Sequence, residues 1–170
     1  MSAPQHTDDH TAIVETLAHA FYKVIPENYK TYCAFTSQIL EQVLNHFGVP
    51  CQRVPCQVWY TEPQKINVIG FLGQSNHGKW DGHIVCCTNQ LLIDTALHHF
   101  EREFGAKAPW VAVARLFEFP STAIAHLPLD ASNSIWWHHP PEGAMVTPPQ
   151  EPQDLVDQYA GALIQTLSPT

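Results

Sequence analysis

Five cysteines punctuate this chain, at positions 33, 51, 56, 86 and 87, and one of them stands where a thiol can become a nucleophile. Cys33 opens the stretch CAFTSQILEQVLNHF, in which Phe35, Ile39, Val43 and Phe47 fall four apart and Leu40 and Leu44 widen the same face. That spacing predicts a helix over about 33–47, with a broader apolar side than a surface helix needs. Free backbone N–H groups and the positive end of the helix dipole gather at its first residue. Both favour negative charge on sulfur, and the same N–H groups can later hold an oxyanion. The plainer alternative for Cys33 is packing beside Tyr32 and Phe35.

A thiol nucleophile needs a base, and the base needs an orienting group. The chain has eleven histidines, so position must select among them. His83 opens the apolar run HIVCC, which a short turn at 88–90 joins to LLID, ending in Asp94. So short a link permits only an antiparallel hairpin. Counting out from the turn pairs residue 83 with about 94 or 95, where side chains lie within roughly 5 Å of one another. Asp94 is a lone acid among apolar residues, and a carboxylate buried there needs a partner. The expected chemistry is attack of a Cys33 thiolate on a carbonyl, with His83 moving the proton and Asp94 fixing the imidazole tautomer. An ordinary sheet-edge histidine is the alternative for His83.

Metal binding competes for some of the same residues. His83, Cys86, Cys87, His98 and His99 crowd one short stretch, but none of the paired C-x-x-C spacings of structural zinc sites is present. Adjacent cysteines on a strand also point to opposite faces. No metal and no cofactor is expected. The run Trp136, Trp137, His138, His139 either bounds a substrate pocket, if its segment folds over the Cys33 helix, or plugs the sheet edge.

A set of helices and strands must position these residues. Ile13, Leu17, Phe21 and Val24 predict an amphipathic helix over about 10–24, capped by Asp8 or Asp9, after a loose N-terminus at 1–8. Gly48 and Pro50 close the second helix. Alternation predicts strands at 52–60, 66–72, 83–87, 91–94 and 110–119, the last bent near Leu116, with a polar turn at 74–82. Residues 120–152 form a Pro-rich excursion, with SIWWHH at 134–139 as a strand inside it. A final helix covers 153–167. The expected fold is one α+β domain over 1–170, a central N-terminal helix packed on an antiparallel sheet. No Gly-rich strand-to-helix loop supports a nucleotide-binding doubly wound fold.

Composition narrows the partners. Of 170 residues 45% are hydrophobic and only 14% charged, and the formal net charge is −8. No basic run exists to meet phosphates, which argues against a nucleic-acid partner. No apolar run reaches membrane-spanning length, and the N-terminus has no signal-peptide character. An odd number of irregularly spaced thiols fits a reducing, cytoplasmic setting. A peptide, protein or small amide substrate is expected; oligomeric state is open, and the aromatic content permits a dimer.

Taken together, YCAFTSQILEQVLNHFGVP, GHIVCC and LLIDT resemble the papain-like cysteine-enzyme superfamily, and are most similar to its transglutaminase-like branch, which includes the arylamine acetyltransferases. The resemblance covers about residues 30–95, with strands to about 119 fitting the sheet. It implies a papain-like core with Cys33 as nucleophile, His83 as base and Asp94 as orienter. It also implies a hydrolase or acyltransferase working through a thioester. The Arg- and Gly-rich stretch that precedes the cysteine in the acetyltransferases is absent; the chain reads PENYKTYC there. Papain-type enzymes place a glutamine upstream as oxyanion donor, and Asn28 is the nearest upstream amide here. The other class of function is a non-catalytic interaction or structural protein that keeps the papain-like shape.

Overall fold

Apolar spacing builds the helices where the sequence demands them. In the computed structural model, which describes residues 7–73 and 80–168 (without the side chains of 7–11 and 13), α1 spans Thr7–Val24 and α2 spans Cys33–His46. A 3-10 turn at Glu27–Tyr29 joins them. Ile39, Val43 and Leu44 of α2 are fully buried, together with Leu17 and Phe21 of α1 and Val156 and Leu163 of the C-terminal helix. The broad apolar face of α2 is thus used on two sides, against helices and against the sheet. Among the described residues no helix is long and apolar enough to cross a membrane.

The strands are β1 (Gln52–Glu62), β2 (Lys65–Ile69), β3 (His83–Cys87), β4 (Leu91–Asp94), β5 (Ala112–Arg115), β6 (Ala123–Pro128) and β7 (Ser134–His138). A short helix, α3 (His98–Phe104), follows β4, and α4 (Gln153–Leu167) closes the described chain. All strand pairs are antiparallel, in the order β5-β4-β3-β1-β7-β6, with β2 also on β1. Beyond β5, Leu116 bridges Ala125 and the Phe117 amide donates to the Ile124 carbonyl at 2.9 Å, so the sheet nearly closes on itself. The architecture of the described residues is therefore mixed α+β, with four α-helices and an almost closed antiparallel sheet. Its interior holds Val58, Val85, Leu92, Ile135 and Trp137, while Cys86 and Ile93 face the helices.

The sheet is broken at one place, beside His83. The first half of β1 pairs with β3 through Gln52–Cys56, and its second half pairs along the same edge with β2 through Val58–Glu62. β2 and β3 thus form one interrupted partner strand, and the chain leaves the sheet between Ile69 and His83. Gly70 turns it out with φ +87°, and Phe71 follows at φ +56°. A Cβ on Gly70 would lie 2.9 Å from the backbone nitrogen and Cβ of His83, so the two ends of the excursion touch. Gln57, opposite the break, fills the missing ladder by donating Nε2 to the Gly70 carbonyl at 3.0 Å.

Several sequence expectations change. α1 begins at Thr7, so Asp8 and Asp9 lie within its first turn instead of ahead of it; residues 1–6 lie outside the described residues. The strand expected at 66–72 ends at Ile69, because the positive φ angles at 70 and 71 end the pleat. Of the turn expected at 74–82, residues 74–79 lie outside the described residues. The strand expected at 110–119 is ordered into the ladder only at 112–115. Within the excursion at 120–152 the strand expected at 134–139 forms as β7, beside β1, and β6, for which there was no expectation, pairs with it. The excursion's prolines mark strand ends, with Pro120 ahead of β6, Pro128 as its last residue and Pro140 just after β7. α3 had no expectation at all; seven residues closed by Gly105 are too few to show a helical period.

Candidate active site

Cys33 is the first residue of α2, as its sequence position promises, and it is half-buried. Tyr32, at the N-cap position, supplies no side-chain cap, and the first turn holds no acid. The leading N–H groups of α2 are therefore left without a capping side chain, an arrangement that suits an anion. The Cys33 thiol lies 3.8 Å from the Gly82 carbonyl, just ahead of β3.

His83, the first residue of β3, lies between Asp94 and Cys33. Its Nε2 lies 2.8 Å from Asp94 Oδ2, and the Cys33 sulfur is close enough to raise the ring's proton affinity as well. With Nε2 taken by the carboxylate, Nδ1 is the ring nitrogen left over. The ring is 2% exposed and Asp94 is fully buried. Burial alone would push the imidazole down; the Asp94 carboxylate and the Cys33 sulfur outweigh it, and His83 is pushed up to about 10. The ring is then an imidazolium at neutral pH, with Nε2–H donated to Asp94.

Cross-strand register explains how the pair forms. Cys86 faces Ile93 and Cys87 faces Leu92. The same register carried on sets Val85 opposite Asp94, so His83 is the diagonal neighbour of Asp94 on the same face, not its direct partner as counting from the turn predicts. A histidine is long enough to span that diagonal.

Asp94 takes three hydrogen bonds. Besides His83, the Trp137 indole Nε1–H donates to Oδ2 at 2.7 Å and the Ala96 amide donates to Oδ1 at 3.0 Å. A second set of bonds fixes the thiol helix against the end of β4. Thr95 Oγ1 donates to Thr36 Oγ1 at 2.9 Å, and Thr36 donates to the Tyr32 carbonyl at 3.1 Å. Arg53 on β1 donates to the Ala34 carbonyl at 2.9 Å and to Ser37 Oγ at 3.1 Å. The first turn of α2 is therefore tied to β1 and to the residue after Asp94, which sets the distance between sulfur and imidazole.

The structure brings Cys33, His83 and Asp94 together. It separates the residues of the metal alternative. Cys86 points to the helices, with Sγ 3.2 Å from the Ser37 carbonyl, while Cys87 packs in the sheet interior. Asn28 is exposed in the 3-10 turn, and no hydrogen bond joins it to Cys33. Trp137 does not bound a pocket: it is fully buried and bonds Asp94 from behind, because the segment that carries it is a sheet strand, not a flap over α2. Trp136 faces outward on β7, stacked on His126 at 4.0 Å. Sequence reasoning missed Thr36, Thr95 and Trp137 as supports. The alternation in SIWWH was the available signal for Trp137, since it puts Ile135 and Trp137 on one face.

The rim beside Gly82 is aromatic. Trp80 and Phe71 meet edge to face at 5.8 Å, and a Cβ on Gly82 would strike both rings. Trp80 Nε1–H donates to the Met145 carbonyl at 2.8 Å, which anchors the segment after β7 to this rim. Comparison of the chain with protein families, with curated proteins and with solved structures gives no match.

Proposed function

We propose that the protein is a cysteine-dependent hydrolase or acyltransferase acting on an amide, peptide or thioester carbonyl, on a papain-like core of the transglutaminase-like kind. The observation that carries the reading is the buried His83 ring, held 2.8 Å from Asp94 on one nitrogen, with the Cys33 thiol 3.8 Å from the carbonyl of Gly82, the residue just before it. A structural histidine in a sheet interior has no need of a thiol at an open helix N-terminus. A positive neighbour favours the thiolate, the nucleophilic form of cysteine.

In this reading the sulfur attacks the carbonyl carbon and the carbonyl π pair moves to oxygen, where the first N–H groups of α2 hold it. As the C–N or C–S bond breaks, the His83 imidazolium gives its Nδ1 proton to the leaving amine or thiol. A thioester on Cys33 remains. Water or an acceptor amine then attacks it, and His83 takes up the proton released.

Incubation with p-nitrophenyl acetate, an acyl thioester and a glutamine-containing peptide, followed by mass spectrometry, tests this. An acyl adduct confined to Cys33, formed slowly or not at all in His83→Ala, is expected. Absence of any adduct on Cys33, with His83→Ala indistinguishable from the native chain, leaves the non-catalytic scaffold in its place.

A further inference from the structure

We infer that Trp137 is the positioning residue of the site, holding the Asp94 carboxylate in line with His83 by hydrogen bonding and not by ring volume alone. The inference rests on the Cys33, His83, Asp94 reading. Trp137 sits on β7, across the sheet interior from the β3–β4 hairpin, where its neighbours in the ladder are Val58 and Ala125. It is fully buried, and a buried indole N–H can only donate, so an acceptor must be found. The acceptor is Asp94 Oδ2, at 2.7 Å, the same oxygen that His83 Nε2 meets at 2.8 Å.

Position of the carboxylate is set by these contacts. Ala96 N–H holds Oδ1 from the chain's own turn, at 3.0 Å. Oδ2 carries the bond to His83, and nothing on β3 or β4 other than the histidine itself is bonded to it. Without a second donor the carboxylate can rotate about its own bond and carry the imidazole with it. The indole fixes that rotation from the opposite wall, through a rigid side chain with two torsions. A phenylalanine or leucine plug would fill the same interior and supply no such restraint.

The test separates N–H from volume. Two chains are compared with the native one, Trp137→Phe and a chain with 3-benzothienylalanine at position 137, which keeps the bicyclic shape and lacks the N–H. Circular dichroism and thermal melting establish that each folds. The readout is the rate at which iodoacetamide alkylates Cys33 at pH 7, with Asp94→Asn beside them. The expected result is a loss of about tenfold or more in the benzothienyl chain, approaching that in Asp94→Asn, and no further loss when the two changes are combined. In native protein the Trp137 indole N–H proton, assigned by its absence in Trp137→Phe, should resonate downfield and move on Asp94→Asn. A folded benzothienyl chain that alkylates within twofold of native, while Asp94→Asn is slow, would overturn the inference and leave the triad standing. Insensitivity of Cys33 to Asp94→Asn and to His83→Ala alike would remove the triad itself, and the inference with it.

Discussion

Asp94 and His83 meet diagonally across the β3–β4 hairpin, 2.8 Å apart, with the carboxylate fully buried and the imidazole nearly so. Burial by itself disfavours a charged ring; the carboxylate reverses that and holds His83 protonated to about pH 10. In Asp94→Asn the chief opposing influence is gone, so burial dominates and the ring loses its proton at far lower pH. An NMR titration of the His83 ring protons should show the change, and Cys33 alkylation at pH 7 should slow by about tenfold or more as the neighbouring charge is lost. A His83 titration unmoved by Asp94→Asn would contradict the pairing.

The same pair makes stability depend on pH, and the sign is fixed by the direction of the shift. His83 binds its proton more tightly folded than unfolded, where an ordinary histidine titrates near 6.5. Its contribution is complete below about pH 6.5 and is lost as pH rises through about 10. Urea unfolding of the native chain and of His83→Gln at several pH values checks this. The gap between them should be widest at or below pH 6.5 and should narrow toward pH 10. A gap that widens with rising pH would mean that His83 is neutral in the folded protein.

Much of this arrangement was legible from spacing. The apolar period after Cys33, the lone acid in LLID and the three-residue link between two apolar runs are local signals, and the elements they imply form where expected. Spacing fails where structure depends on distant pairing. β7 lies beside β1 through contacts 73 to 81 residues apart, such as Val58 with Trp137, and no local pattern announces such a neighbour. β7 was legible in SIWWHH, but β6 was hidden in the Pro-rich stretch, with Pro120 just ahead of it and Pro128 as its last residue. α3 is shorter than two full helical periods beyond its first turn and left no periodic trace. The candidate site was legible in Cys33, His83 and Asp94 and illegible in its supports, since Trp137, Thr36 and Thr95 reach it only through long-range contacts.

Gly70 should tolerate no side chain. Its φ of +87° is left-handed, and a Cβ there would sit 2.9 Å from the backbone nitrogen of His83 and 3.2 Å from the Cys56 carbonyl. Both obstacles are main-chain atoms or the root of a side chain, so neither can swing aside. Gly70→Ala should cost at least about 1–2 kcal/mol in unfolding free energy from backbone strain. It should also slow Cys33 alkylation, because the strain is relieved by displacing His83. Gly73→Ala, with φ +74° and no atom of the described residues within 4 Å of its Cβ, is the control: strain without a displaced histidine, and alkylation close to native.

Thiol reactivity gives the most direct test of Cys33. Cys56 and Cys86 are fully buried, and burial pushes both thiols up; it does the same to Cys87, to about 12. These three are closed to a reagent twice over, by access and by ionisation. Only Cys33 and Cys51 are half-exposed. Cys51 has no imidazole beside it in the hydrogen-bond network, whereas Cys33 lies beside a ring that stays protonated at neutral pH. An ordinary thiol, with pKa about 8.5, is only roughly 0.3% thiolate at pH 6. A sub-stoichiometric dose of iodoacetamide at pH 6 should therefore label Cys33 first, with Cys51 behind it and the other three unlabelled until the protein unfolds. His83→Ala should bring Cys33 down to the rate of Cys51 while leaving Cys51 itself unchanged. Mass spectrometry of the tryptic peptides reads every position at once. Equal labelling of Cys33 and Cys51, independent of His83, would mean that the sulfur gains nothing from its place at the head of α2, and would remove the physical ground for calling it a nucleophile.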